Sequence, residues 1–171
     1  TVVMDVGTGY VVADVQSSVL NPDALALASV QLLEQYQIPL WGIEDNDWGR
    51  VTLNKAIALG YKRVYYRAEG KPGFHTNEGT RRDLWDDIIM AVFKRLIVIP
   101  SAEGLSQFYA VIRNPKKEGR IEAIEGGKDD YPLAVGGAWQ LRHRAVRVTG
   151  PVGDQNTFAS LFGAKGRGPR W

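Results

Sequence analysis

The chain has 171 residues, 44% of them hydrophobic and 23% charged. That composition fits one globular domain with a real core and excludes a wholly disordered, collagen-like or low-complexity chain. There is no cysteine, so disulfides, thiolate nucleophiles and cysteine metal sites are excluded. Lys and Arg number 21 against 19 Asp and Glu, a formal charge of +2, so any binding of an acidic polymer requires clustered bases rather than abundant ones.

In chain order, residues 1–16 predict a hairpin. Val2, Val3 and Val6 lead into Gly7-Thr8-Gly9, and Tyr10, Val11, Val12 and Val15 lead out. Asn21-Pro22-Asp23 combines a side-chain cap, a proline at the first helical position and an early acid, so a helix is predicted from there up to Pro39. Leu40-Trp41-Gly42-Ile43 predicts a short strand that runs into Glu44-Asp45-Asn46-Asp47. A helix is predicted over 48–59, with Gly60 as its stop. Arg63-Val64-Tyr65-Tyr66 predicts another strand, followed by a loop over 69–79.

Leu84, Trp85, Ile88, Ile89, Val92 and Phe93 recur at helical spacing, with Thr80 and Asp83 as the expected capping pair. Leu96-Ile97-Val98-Ile99 predicts a strand ended by Pro100, and Ser101 with Glu103 predicts a helix start running to about Arg113. A hairpin is expected across Gly119, and a last helix over 129–144. The boundary of the domain is set at residue 147, with 148–171 as a basic, Gly-rich tail. Alternating strands and helices predict an α/β fold, a mixed sheet flanked by helices. No apolar run approaches the ~18 residues of a membrane span, so no membrane partner is expected.

Two clusters carry the chemistry. Glu44, Asp45 and Asp47 stand within four residues where a buried strand gives way to a helix. Asp129 and Asp130 open the last helix behind Gly126-Gly127-Lys128. Taken singly, each cluster is an ordinary helix cap. Taken together, they offer hard oxygen ligands for Mg²⁺ or Mn²⁺. Since His75 and His143 are the two histidines, such a site would rest on carboxylates. Two such ions about 3.5–4 Å apart are a common device for phosphodiester cleavage.

Val2-Val3-Met4-Asp5, Gly9-Tyr10-Val11-Val12-Ala13, Asn21-Pro22-Asp23 and Gly42-Ile43-Glu44-Asp45-Asn46-Asp47-Trp48-Gly49 form an ordered set. Gly73-Phe74-His75-Thr76-Asn77, Thr80-Arg81-Arg82, Leu96-Ile97-Val98-Ile99-Pro100 and Gly127-Lys128-Asp129-Asp130 continue it. In order and spacing this set resembles the C-terminal nuclease domain of the terminase large subunit of tailed bacteriophages, from Thr1 to about Arg142. The resemblance implies a ribonuclease H-like fold over 1–147 and a metal-dependent endonuclease that cuts concatemeric double-stranded viral DNA during genome packaging.

It also implies a two-metal site of Mg²⁺ or Mn²⁺ held by Glu44 or Asp47 and by Asp129, with Asp130 beside it. Asp45 is disfavoured because it would alternate to the other face of a strand. Lys128 stands where the family has His. The family's first acid lies on a strand before the hairpin, and Asp5 does not match it. The expectation is that the first strand, and a metal ligand on it, are absent from this chain.

Implied partners are the portal, the small terminase subunit and an N-terminal ATPase domain of the same protein. The implied place is the host cell cytoplasm, transiently at the procapsid portal. No Gly-x-x-x-x-Gly-Lys-Ser/Thr segment is present, so this chain is not expected to hydrolyse ATP.

Expected DNA contacts are Lys71, His75, Asn77, Arg81 and Arg82 on one loop and helix start. Lys116, Lys117, Arg120 and Lys128 are expected near the second acidic cluster. Trp48 adjoins the acidic turn and is the one tryptophan set apart from core filling. The alternatives are another ribonuclease H-like DNA nuclease, of resolvase or transposase type, and a non-catalytic DNA- or portal-binding module. An actin-like ATPase, suggested by Asp5-Val-Gly-Thr-Gly, needs a longer, two-lobed chain.

Overall fold

The computed structural model describes residues 1–145. The expected tail over 148–171 lies outside the described residues. The described residues form a mixed α/β structure of five α-helices and three two-stranded antiparallel sheets. Strands β1 (Val2–Asp5) and β2 (Tyr10–Asp14) form the opening hairpin. Helix α1 (Pro22–Glu34) starts where its cap predicts, with Asn21 Oδ1 accepting the Ala24 N–H at 2.8 Å. Helix α2 (Asp47–Ala58) follows the acidic turn.

Between α1 and α2, residues 40–44 run extended. Their pairing is by single residues, Trp41 parallel to Val64 and Glu44 parallel to Phe74. The expected loop over 69–79 contains a tight hairpin instead, β3 (Tyr66–Ala68) with β4 (Lys71–Pro72), turning at Gly70.

Helix α3 (Glu78–Phe93) begins two residues before Thr80. Its cap is Asn77, whose Oδ1 accepts the Thr80 N–H while Thr80 Oγ1 accepts the Asn77 N–H, both at 2.9 Å. Thr80 is therefore the reciprocal partner in the capping box rather than the cap, and Asp83 has no part in it. The expected strand over 96–99 pairs at Val98 alone, beside Tyr10 of β2. Helix α4 (Ala102–Tyr109) is capped by Ser101 as expected but ends four residues before Arg113. There the chain turns into β5 (Val111–Asn114), which pairs with β6 (Arg120–Ala123) across Glu118 and Gly119, both at positive φ. Helix α5 (Asp130–Leu141) closes the described chain.

Alternation along β1 sorts the core into two faces. Val3 packs with Val30 and Leu33 of α1, Leu53 and Ala56 of α2, and with Trp41, Ile43, Tyr61 and Val64. Val2 and Met4 pack on the opposite cluster, where Val11 meets Trp85 and Ile88 of α3 and Tyr131 and Val135 of α5. The strands therefore lie between an α1/α2 layer and an α3/α5 layer. Gly136 lets α5 approach α3, because a Cβ there would lie 2.9 Å from Leu84 Cγ. Among the described residues no helix is long and apolar enough to cross a membrane.

Leu33 and Ile88 are fully buried on opposite faces. Leu33→Ala and Ile88→Ala are each expected to cost about 2–5 kcal/mol. Urea unfolding followed by circular dichroism and by tryptophan fluorescence should show one coincident transition for each variant, because both faces share the same strands.

Candidate functional site

Glu44 ends the extended segment 40–44. Trp41 and Ile43 point into the α1/α2 layer, so Gly42 and Glu44 face the α5 side. Glu44 is held there by Asn46, whose side-chain N–H₂ donates to Glu44 Oε1 at 2.9 Å and to the Thr76 carbonyl at 2.9 Å.

That use of Asn46 has a local cost. It occupies the N-cap position of α2 but makes no side-chain cap hydrogen bond. Asp47, the first helical residue, is forced to φ +36°, a conformation that costs a non-glycine residue about 1–3 kcal/mol. Gly49 completes the arrangement. A Cβ on it would overlap the Glu44 carbonyl oxygen and lie 3.2 Å from Glu44 Cβ.

Glu44 sits on the rim of a groove of about 740 Å³. Thr1, Val2, Val3 and Met4 form one wall and residues 40–44 the other. Tyr131, Ala134, Gly137 and Leu141 of α5 line it as well. Both walls are strand edges. β1 pairs with β2 and, among the described residues, with nothing on its other side. Trp41 gives its N–H to the Arg63 carbonyl and its C=O to the Tyr65 N–H, and the Ile43 C=O accepts from the Phe74 N–H. The N–H and C=O of Gly42, which alternate to the groove side, have no partner among the described residues. Buried or half-buried backbone groups of this kind are normally paired.

The four acids expected to form the metal site are distributed rather than gathered. Glu44 and Asp130 line the same groove, together with Lys128, Thr76 and the exposed Trp48 (73% accessible). Asp129 turns instead to Arg81, which ion-pairs with it through Nη2. Asp47 is exposed and does not line the groove. Among the described residues no three His, Asp or Glu side chains are grouped as metal ligands.

The expected DNA contacts fall in two places. Arg81 lines a second cavity of about 540 Å³ with Asn114, Lys117, Arg120, Glu122 and Asp129. Lys117 and Arg120 both pair with Glu122, at 2.8 and 3.6 Å. Lys117 and Asn114, with Arg120 nearby, lower the Glu122 carboxyl below its ordinary value. Lys116 is exposed on the turn between β5 and β6, Lys71 is exposed on β4, and Arg82 is exposed on α3. Asn77 is committed to capping α3.

Asp45, the acid set aside by strand alternation, has a role of its own. It is buried, at 8% accessibility. Its Oδ2 accepts from Arg67 Nη1, and its Oδ1 lies 2.9 Å from His75 Nδ1. Burial pushes the Asp45 carboxyl up, but the hydrogen bonds and charges of His75 and Arg67 outweigh burial and hold it below its ordinary value. The sequence signals for this cluster were the alternation that separates Asp45 from Glu44 and the lone Arg67 after an aromatic strand.

Because the native pKa is depressed, Asp45 contributes stability that is fully present above its unfolded value of about 4. The contribution is lost as pH falls through the native pKa. Asp45→Asn should lower stability at neutral pH and reduce the acid sensitivity of unfolding between about pH 5 and 2, read by urea midpoints across that range. Gly49→Ala should cost about 1–3 kcal/mol by overpacking and move the Glu44 backbone, visible as amide shifts at Glu44 and Asn46. No family model, curated protein or solved structure matches the chain.

Proposed function

We propose that the chain is the metal-dependent endonuclease domain of a viral DNA-packaging motor, with a ribonuclease H-like fold, acting on concatemeric double-stranded DNA. The observation that carries this reading is the groove between β1 and residues 40–44, with Glu44 and Asp130 on its rim. The resemblance calls for an additional strand bearing the first acid. Two unpaired strand edges facing each other across one apolar groove supply a place for it, and an acid near the end of that strand would join Glu44 and Asp130.

The chemistry of these donors suits hard divalent cations such as Mg²⁺ or Mn²⁺, but the described residues do not by themselves assemble a donor set. Such ions, when bound, would activate water and stabilise the leaving oxygen. The chain's own residues have other tasks. Asn46 fixes the orientation of Glu44, and Lys128 and Thr76 border the groove. The β5–β6 hairpin carries Lys116, Lys117 and Arg120 toward a phosphate backbone. Portal, small subunit and ATPase domain remain the partners this reading assigns, at the procapsid in the host cytoplasm.

A second reading, a non-catalytic DNA- or portal-binding module, is favoured by the ion pair that occupies Asp129. Cleavage of plasmid DNA with Mn²⁺ separates the two. A chain lengthened before Thr1 by an acid-bearing strand should cut, and Glu44→Gln, Asp129→Asn or Asp130→Asn should each reduce cutting at least 100-fold if all three serve the site, as is typical for groups acting at the reacting centre (about 10²–10⁴). Activity that survives both Glu44→Gln and Asp47→Asn together would remove the first cluster from the site. A folded, lengthened chain without activity would leave the binding module.

A further inference from the structure

Asp45 organises a cluster of basic side chains that the Glu44 groove does not use. The two oxygens of one buried carboxylate hold Arg67 and His75 side by side. The Arg67 and Asp45 side chains are 34% and 11% accessible, and that of His75 is 50% accessible. The arrangement fixes the inner ends of both side chains and leaves their outer ends open. Nη1 of Arg67 is spent on Asp45 and on the Pro72 carbonyl at 3.4 Å. Its Nε and Nη2, and Nε2 of His75, have no partner among the described residues. Arg50 adds a third positive group, since its Nε donates to the Asp45 carbonyl at 3.0 Å and its side chain is exposed.

Against one carboxylate the cluster therefore carries two guanidinium charges and an imidazole. A guanidinium whose outer edge is free and whose position is already fixed loses little entropy on meeting a planar or tetrahedral oxyanion.

We propose that Arg67 and His75, held on Asp45, form a clamp for one backbone phosphate of the nucleic acid, on the face of residues 40–45 opposite Glu44. This rests on the reading that the chain binds DNA. It extends the expected contact by His75 to a built site with Arg67 as its main charge and Asp45 as its positioning residue. A duplex gripped here and by the β5–β6 hairpin would be held at two separate places on the domain.

The test uses the whole chain. Inorganic phosphate is titrated at constant ionic strength against a chloride control while the imidazole ¹H–¹⁵N signals are followed. The two histidines make His143 the internal reference. The clamp predicts a saturating shift at His75, none at His143, and loss of the shift in Arg67→Gln. In parallel, binding of a short duplex is measured by fluorescence anisotropy across salt. Arg67→Gln should weaken binding several-fold and reduce the slope of log K against log salt by about 0.9, the value for one phosphate contact.

A purely structural role for the cluster would lower stability and leave the salt slope unchanged, and that result overturns the clamp. So does a His75 signal that ignores phosphate or moves together with that of His143, a measurement on the wild-type chain that needs no variant to fold. Duplex bound with an Arg67-dependent slope but never cut would sustain the clamp and sink the nuclease reading. Duplex cut with an unchanged slope would do the reverse.

Discussion

A β-strand presents hydrogen-bonding groups along both edges, and the strands that flank the groove have each used one. β1 is paired through β2, and residues 40–44 through Val64 and Phe74. Both strands line one groove of about 740 Å³. The rest of the molecule is arranged around that constraint. The α1/α2 and α3/α5 layers cover the two faces of the strands, and small residues of α5 line the groove without filling it. Peptide groups such as those of Gly42 gain from a partner that only an extended segment supplies with the right repeat. Strand addition of this kind draws its affinity from main-chain pairing and its register from alternate side chains.

The second organising choice is made at residues 44–49, where local stability is traded for the placement of one carboxylate. An asparagine at the start of a helix ordinarily caps it. Here Asn46 binds Glu44 and Thr76 instead, Asp47 takes a strained backbone, and Gly49 gives up its side chain so that the first turn of α2 can rest on Glu44. Local rules broken together in one short stretch are a mark of function rather than of stability. One residue further along the alternation, Asp45 is sealed in its own ion-pair cluster. Neighbouring acids thus do different work because they sit on opposite faces of one extended segment.

Much of this fold was legible in the sequence. The Gly7-Thr8-Gly9 turn, the Asn21 cap before Pro22 and the Ser101 cap are local signals, and local hydrogen bonds honour them. The α3 start was misplaced because Thr80 takes part in a capping box as its reciprocal member, and Asn77 carries the same chemistry three residues earlier. The end of α4 was misplaced because no Gly or Pro stands between Leu105 and Arg113 to mark a stop, and β6 sets the turn into β5 by pairing with it. The strands over 40–43 and 96–99 read clearly from their apolar runs but pair sparsely, since pairing depends on neighbours that a linear pattern does not contain.

At the candidate site, strand alternation separated Glu44 from Asp45. The division of Asp130 to the groove and Asp129 to Arg81 depends on the φ/ψ of Asp129 and the approach of α3, which residue type does not encode.

The proposed strand would sit in the groove between β1 and residues 40–44. Hydrogen exchange at the Gly42 amide tests this placement most directly, with Trp41 as reference because its N–H already bonds to the Arg63 carbonyl at 2.9 Å. In the chain alone, Gly42 should exchange far faster than Trp41. When an additional N-terminal strand is present, Gly42 should become as protected as Trp41. Fast exchange at Gly42 in both forms, with Trp41 protected throughout, would show that no strand pairs there.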